Sequence, residues 1–305
     1  MMRKITALVI ALISYQMILG QQVADTTYNP SISKPMYEIG KGSIVFIDEG
    51  HHNFHTKEGR YKAFSNLLER DGYVVKPYKG IFTKEQLSQG KILVISNALN
   101  KINVTNWVLP TPSAFTKEEI KTLKNWVSEG GSLFLIADHM PMAGAAEDLA
   151  KVFGFTFTNG FVIHETERGA AVFTKENKSL SDNPITRGRE ASEAVDQIAT
   201  FTGQAFEVPE DATPILTFPK NYINLLPDTA WVFHRKTKTL TATGWSQGAY
   251  KKYQKGRVVV FGEAAMFTAQ LSGPQQRKTG MSNPVAPQNY KLLLNIIHWL
   301  DKKLD

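Results

Sequence analysis

Four short runs constrain this chain more than anything else in it: Ile44-Val-Phe-Ile47, Ile92-Leu-Val-Ile95, Leu133-Phe-Leu-Ile136 and Val258-Val-Val-Phe261. Each is apolar throughout and too short for a helix, and three of the four are rich in β-branched residues. That is the pattern of a strand buried on both faces, which requires helices above and below a parallel sheet. The segments between them fit. Arg60 to Arg70 carries Tyr61, Phe64, Leu67 and Leu68 at helical spacing and stops at Asp71-Gly72. Tyr73-Val-Val follows as a second strand, and Thr83 caps a short helix start before the strand Lys91 to Ile95. Thr116-Lys-Glu-Glu119 is a capping box opening a helix with Ile120, Leu123, Trp126 and Val127 on one face, and Gly130-Gly131 ends it. A helix over Ala143 to Phe153 and a last one over Tyr290 to Leu304, burying Leu293, Ile296, Ile297 and Leu300, complete the set. The expected fold class is α/β, a doubly wound, mostly parallel sheet.

Between Phe155 and Tyr253 the pattern changes to short alternating stretches such as Phe201 to Phe206 and Thr239 to Thr243, with few helical signals. We read this as a β-rich insertion, about 155–253, folded against the rest of a single domain spanning 21–305. Ala98 to Ser113, with Trp107, Pro110 and Pro112, reads as a loop rimming the strand ends, and Ser272 to Gln288 as a polar loop.

At the N-terminus, Arg3 and Lys4 precede an apolar run from Ile5 to Leu19, with Gly20 before Gln21-Gln22. This is the plan of a signal peptide, residues 1–20, and the run is too short for a persuasive membrane span. The expected location is therefore exported, periplasmic or secreted, with no stable membrane insertion once the signal is cleaved. The chain has no cysteine, which excludes disulfides, a lipoprotein anchor, thiolate nucleophiles and thiolate metal sites. Loss of Arg3 and Lys4 takes the 35 basic residues to 33 against 28 acidic ones, so the formal charge falls from +7 to +5. The basic residues are scattered rather than gathered on one element, so nucleic acid is not expected as a partner; an acidic oligosaccharide suits the mild positive charge.

Chemistry concentrates where strands end. The first run leads into Asp48-Glu-Gly-His51-His52-Asn53-Phe-His55, the third strand ends in Ser96-Asn97, the fourth strand ends in Asp138-His139, and the last run leads to Gly262-Glu263. Ligands of open parallel sheets bind at the carboxyl ends of the strands. Convergence there would place carboxylates beside imidazoles, the set that proton transfer needs. The expected catalytic residues are Asp48, His51, His52, His139 and Glu263; Asn53, His55, Asn97, Asp138, Arg168 and Trp245 are expected to bind substrate. Lys57 is a second candidate cation, and Trp245 with Tyr250 and Tyr253 would make a sugar-stacking wall. The pairs His164 with Arg168 and His234 with Arg235 read as exposed polar positions able to meet an anion. His298 reads as structural. The imidazoles and carboxylates also suit a divalent metal, but His51-His52-x-x-His55 follows a strand and matches no zinc spacing, so the expectation is no cofactor, with a divalent cation as the alternative.

With these motifs on the page, the chain resembles a bacterial domain-of-unknown-function family built on a class I glutamine amidotransferase-like fold and related to the GIFT domain. The resemblance rests on Asp48-Glu-Gly-His-His-Asn53, Leu135-Ile-Ala-Asp-His139, Gly262-Glu-Ala-Ala-Met-Phe267 and Asn295-x-x-His-Trp-Leu300, and covers the two parallel segments. It implies a flavodoxin-like sheet and no settled activity. True amidotransferases use a cysteine after a strand; here His139 follows the fourth strand, and glutaminase chemistry is excluded. The resemblance also implies sugar handling, with which relatives of this fold in exported bacterial systems are often associated. The resulting expectation is an exported enzyme acting on an oligosaccharide, by elimination of water or an alcohol in preference to hydrolysis. A non-catalytic sugar-binding or assembly module and a metal-dependent hydrolase are the alternatives.

Overall fold

In the computed structural model, which describes residues 22–305, each apolar run becomes a strand of one sheet. The proposed signal peptide lies outside the described residues. The sheet has seven strands: β1 (Ile44–Asp48), β2 (Val74–Tyr78), β3 (Ile92–Ser96), β4 (Ser132–Ile136), β5 (Thr213–Thr217), β6 (Ser246–Tyr253) and β7 (Gly256–Phe261). Their spatial order is β2-β1-β3-β4-β7-β6-β5. The first five are parallel, and β6 and β5 extend the edge antiparallel.

Period-two alternation explains why the runs had to be apolar throughout. Val45 and Ile47, Ile92 and Val94, Phe134 and Ile136, and Val259 and Phe261 point to one core layer. Phe46, Leu93, Ile95, Leu133, Leu135, Val258 and Val260 point to the other. Helices cover both faces. The helices α1 (Lys62–Arg70) and α5 (Asn289–Leu300) fill the first layer, whereas α2 (Lys84–Leu87), α3 (Lys117–Ser128) and α4 (Met142–Lys151) fill the second. Because β2 lies on one side of β1 and β3 on the other, the strand order reverses between the carboxyl ends of β1 and β3, the position at which open sheets of this kind bind ligands.

Residues 155–253 supply β5 and β6 and two small sheets: Phe161–His164, Tyr222–Leu226 and Lys238–Thr241 in one, and Ala171–Thr174 with Gln197–Thr200 in the other. Two expectations differ from what is observed. Residues 201–206 do not form a strand beyond a single bridge from Phe206 to Ser246. Gly203, at φ +104°, passes so close to Gly262 that a Cβ would lie 2.2 Å from its carbonyl oxygen, and Gln204 N–H donates to that same carbonyl at 2.9 Å. The segment is held as a crossing between strand ends, which its alternation alone did not reveal. Part of the expected polar loop at 272–288 instead forms the strand Arg277–Gly280, paired with Ala269–Ser272, which in turn pairs with Val23–Ala24.

Candidate functional site

Local sequence places the first group of side chains. β1 ends in Asp48, whose carboxylate caps the following turn by accepting from Gly50 N–H at 3.1 Å. The turn returns His51 over it, with Nδ1 3.0 Å from both Asp48 oxygens. The other ring nitrogen, Nε2, is 2.9 Å from Oε1 of Glu119 in the first turn of α3. Glu119 also completes the capping box, accepting from Thr116 N–H and Oγ1 at 3.0 and 2.7 Å and from Phe82 N–H at 3.1 Å. Phe82 and Phe115 pack on the ring with centroids 4.4 and 4.9 Å away. Burial opposes charge on His51, but hydrogen bonds and charges from Asp48 and Glu119 outweigh it and raise its pKa. Glu119 is drawn below the usual carboxylate range: burial pushes it up, and the Thr116 N–H, His51, the Thr116 hydroxyl and the Phe82 N–H pull it down further. A carboxylate on each nitrogen favours the imidazolium form of this ring and leaves neither nitrogen free.

The second group forms around β4 and β7. Asp138 and His139 follow β4 and Glu263 follows β7; they are 6%, 6% and 0% exposed. His139 Nδ1 donates to the Met140 carbonyl at 2.7 Å, which puts the lone pair of the uncharged ring on Nε2, 4.0 Å from Asp138 Oδ1. Phe161 stacks on the ring at 4.2 Å and 15°, and Trp231 and Trp107 close its sides at 4.7 and 6.0 Å. Glu263 accepts from Ala265 N–H at 2.9 Å and Met266 N–H at 2.8 Å. Even so, burial first and the Asp138 charge second raise its pKa well above the carboxylate range, against those two bonds and a further one from Phe201 N–H. Tyr61 lies between β3 and Glu263, its hydroxyl accepting from Ser96 Oγ at 3.0 Å and donating to the Ala264 carbonyl at 3.4 Å.

Asn97, in left-handed backbone at φ +49°, stitches the two groups: its carbonyl accepts from Phe54 N–H at 2.9 Å and its side chain from Asp138 N–H at 2.8 Å. Asn53 binds Asp48 Oδ2 at 2.9 Å. His55 is buried against Tyr61, its Nδ1 without a partner, and burial, aided by the nearby Arg60 charge, lowers its pKa to about 3. His52 is exposed, at φ +48°. Arg168 lines a separate 440 Å³ cavity with His164, Glu167, Tyr222, Phe233 and the segment Thr200–Thr202, which reaches Glu263 through Phe201. Trp245 stands apart, packed into the core layer that holds α5. Lys57 is already paired with Glu58 and Glu69 at 3.3 and 3.0 Å. His298 donates from Nε2 to buried Asp71 at 2.6 Å. Among the described residues, no three His, Asp or Glu side chains are grouped to hold a metal ion.

Glu119, Tyr61, Phe161 and Trp231 escaped sequence reading. The capping box signalled the role of Glu119 at the helix start, but nothing local tied it to a histidine 68 positions earlier. Trp107 carried a signal, since its loop follows a strand end.

No protein-family model matches the chain, and no curated protein matches it. Solved structures do. The mmIFT52 N-terminal domain superposes with a TM-score of 0.58 at 14% identity, covering 85% of this chain and 97% of that one. A cytoplasmic protein of Salmonella typhimurium gives 0.50 at 15% identity, covering 85% and 98%. A ThuA-like protein from Bacteroides uniformis gives 0.46 at 12% identity, covering 89% and 94%. At these identities the likeness is one of fold.

Proposed function

We propose that this is an exported carbohydrate-active enzyme on a flavodoxin-like, class I glutamine amidotransferase-like sheet without the amidotransferase cysteine, and that its reaction centre is His139, Asp138 and Glu263. The observation that carries the reading is an imidazole nitrogen left without a hydrogen bond and a carboxyl group pushed towards its protonated form, both gathered around Asp138. The Nδ1 bond of His139 leaves Nε2 unspent, while burial first and the Asp138 charge second raise the Glu263 pKa well above the carboxylate range and so favour its protonated form. An elimination uses both: His139 removes the proton from the carbon beside a substrate carboxylate, a carbon–carbon double bond forms as the carbon–oxygen bond breaks, and Glu263 gives its proton to the departing oxygen. The Arg168 cavity supplies the cation for the carboxylate of an acidic sugar, and half-buried Trp107 supplies a face for its ring. Asp48 and His51 build the crevice wall. A divalent cation has no ready ligand set in this reading.

The test is incubation of the mature protein with acidic oligosaccharides, following product mass and the absorbance of an unsaturated uronate. A rate that falls as pH rises through the Glu263 pKa, and is abolished in Glu263→Gln, is expected. One observation favours the second reading, a binding module without turnover: the aromatic rim leaves His139 only 6% exposed. Saturable oligosaccharide binding with no product, unchanged in Glu263→Gln, would establish that reading instead.

A further inference from the structure

The loop joining strands Tyr222–Leu226 and Lys238–Thr241 puts three large apolar side chains in a row into solvent: Trp231, Val232 and Phe233 are 53%, 43% and 40% exposed. Trp231 is held at φ +67°, a conformation a bulky residue adopts only when its surroundings impose it. Hydrogen bonds from Val232 N–H to the Thr229 carbonyl at 3.1 Å and from His234 N–H to Thr237 Oγ1 at 2.8 Å set the loop's shape. Directly after the apolar tip come His234, Arg235, Lys236 and Lys238, all exposed, and none of the cations Arg235, Lys236 and Lys238 joins an ion pair among the described residues. A 420 Å³ cavity at the base of the tip is lined by His234, Lys236 and Lys238 along with Thr229 and Val232, with Asp228 its single acid. The neighbouring loop, tied on by the Val108 to Thr229 bridge, adds exposed Ile102, Val104 and Leu109 to the apolar footprint.

We propose that this tip docks the protein on an anionic phospholipid bilayer, with Trp231, Val232 and the 102–109 loop entering the interface and the Lys236/Lys238 cavity receiving a lipid phosphate. Side-by-side aromatic and cationic groups suit that interface, where rings sit at headgroup depth and each cation gains from the surface potential. A soluble polyanion would satisfy the cations but leave the apolar row in water. A two-fold contact with a second copy would bring the same unpaired cations together.

The experiment is co-sedimentation of the mature protein with vesicles of phosphatidylcholine alone or mixed with phosphatidylglycerol, with brominated acyl chains as quenchers of tryptophan fluorescence. Binding to the mixed vesicles, weakened by salt and accompanied by quenching that Trp231→Ala reduces to the share from Trp107, is expected. Arg235→Gln with Lys236→Gln should reduce partitioning on the order of twentyfold, and Val232→Glu should abolish quenching while thermal unfolding stays unchanged. Absence of binding at low ionic strength overturns the proposal. So does binding without quenching that dextran sulfate competes away, which marks a polyanion site, and so does a dimer in solution that Val232→Glu dissolves, which marks a self-interface.

Discussion

His51 and His139 follow two parallel strands of one sheet, β1 and β4, that flank β3; each lies within three residues of an aspartate and is packed between aromatic rings, yet their chemistry is opposite. His51 spends both nitrogens on carboxylates, Asp48 at the end of its own strand and Glu119 in the first turn of α3. His139 spends one on a backbone carbonyl and keeps the other, because the nearest carboxylate oxygen stands 4.0 Å off. The difference teaches that acid-and-imidazole adjacency in sequence says nothing about availability. What decides it is whether a third group, from a distant element, closes the second nitrogen.

Removing the ring at each place is the widest separation between the two. His51→Ala leaves two buried carboxylates facing each other and should cost about 3–5 kcal/mol of stability in denaturant titration. A loss below 1 kcal/mol would mean that the clamp is not a charged one. His139→Gln fills the same space beside Phe161 and should cost only about 1–2 kcal/mol, while lowering turnover of an acidic oligosaccharide about 10²–10⁴-fold. Equal stability losses in both variants would erase the distinction.

Titration sharpens the comparison with a third ring. His51 has a raised pKa in the fold, so its contribution is complete below the unfolded value of 6.5 and disappears as pH rises through the folded value. His55, four residues on, is neutral in the fold with a pKa of about 3. Its unfolded form takes a proton below 6.5, so stability falls as pH drops from there towards 3. Melting temperature against pH should thus show a fall on the alkaline side that His51→Gln removes and a fall on the acid side that His55→Phe reduces. The reverse assignment would contradict the partner geometry described above. The smallest expected effect is at the support of the clamp: Thr116→Ala loses the cap on α3 and one bond to Glu119, at about 1 kcal/mol. No change in stability would detach the clamp from its helix.

What the amino-acid order determined by itself were the features whose cause is local. Fully apolar runs can only be strands with cover on both faces, so β1, β3, β4 and β7 and the helices between them were legible, as was the capping box at Thr116. The irregular middle was less so: Gly203 lies where it does because Gly262 leaves no room for a side chain, a constraint imposed 59 positions away. The site divided in the same manner. That polar groups gather at strand ends follows from each strand's own sequence, but which of them is closed and which is left with a free nitrogen depended on Glu119 reaching His51 and on no carboxylate reaching His139. Hydrogen-bond partnership over such separations is set by how the sheet and helices pack, and only the tertiary structure decides it.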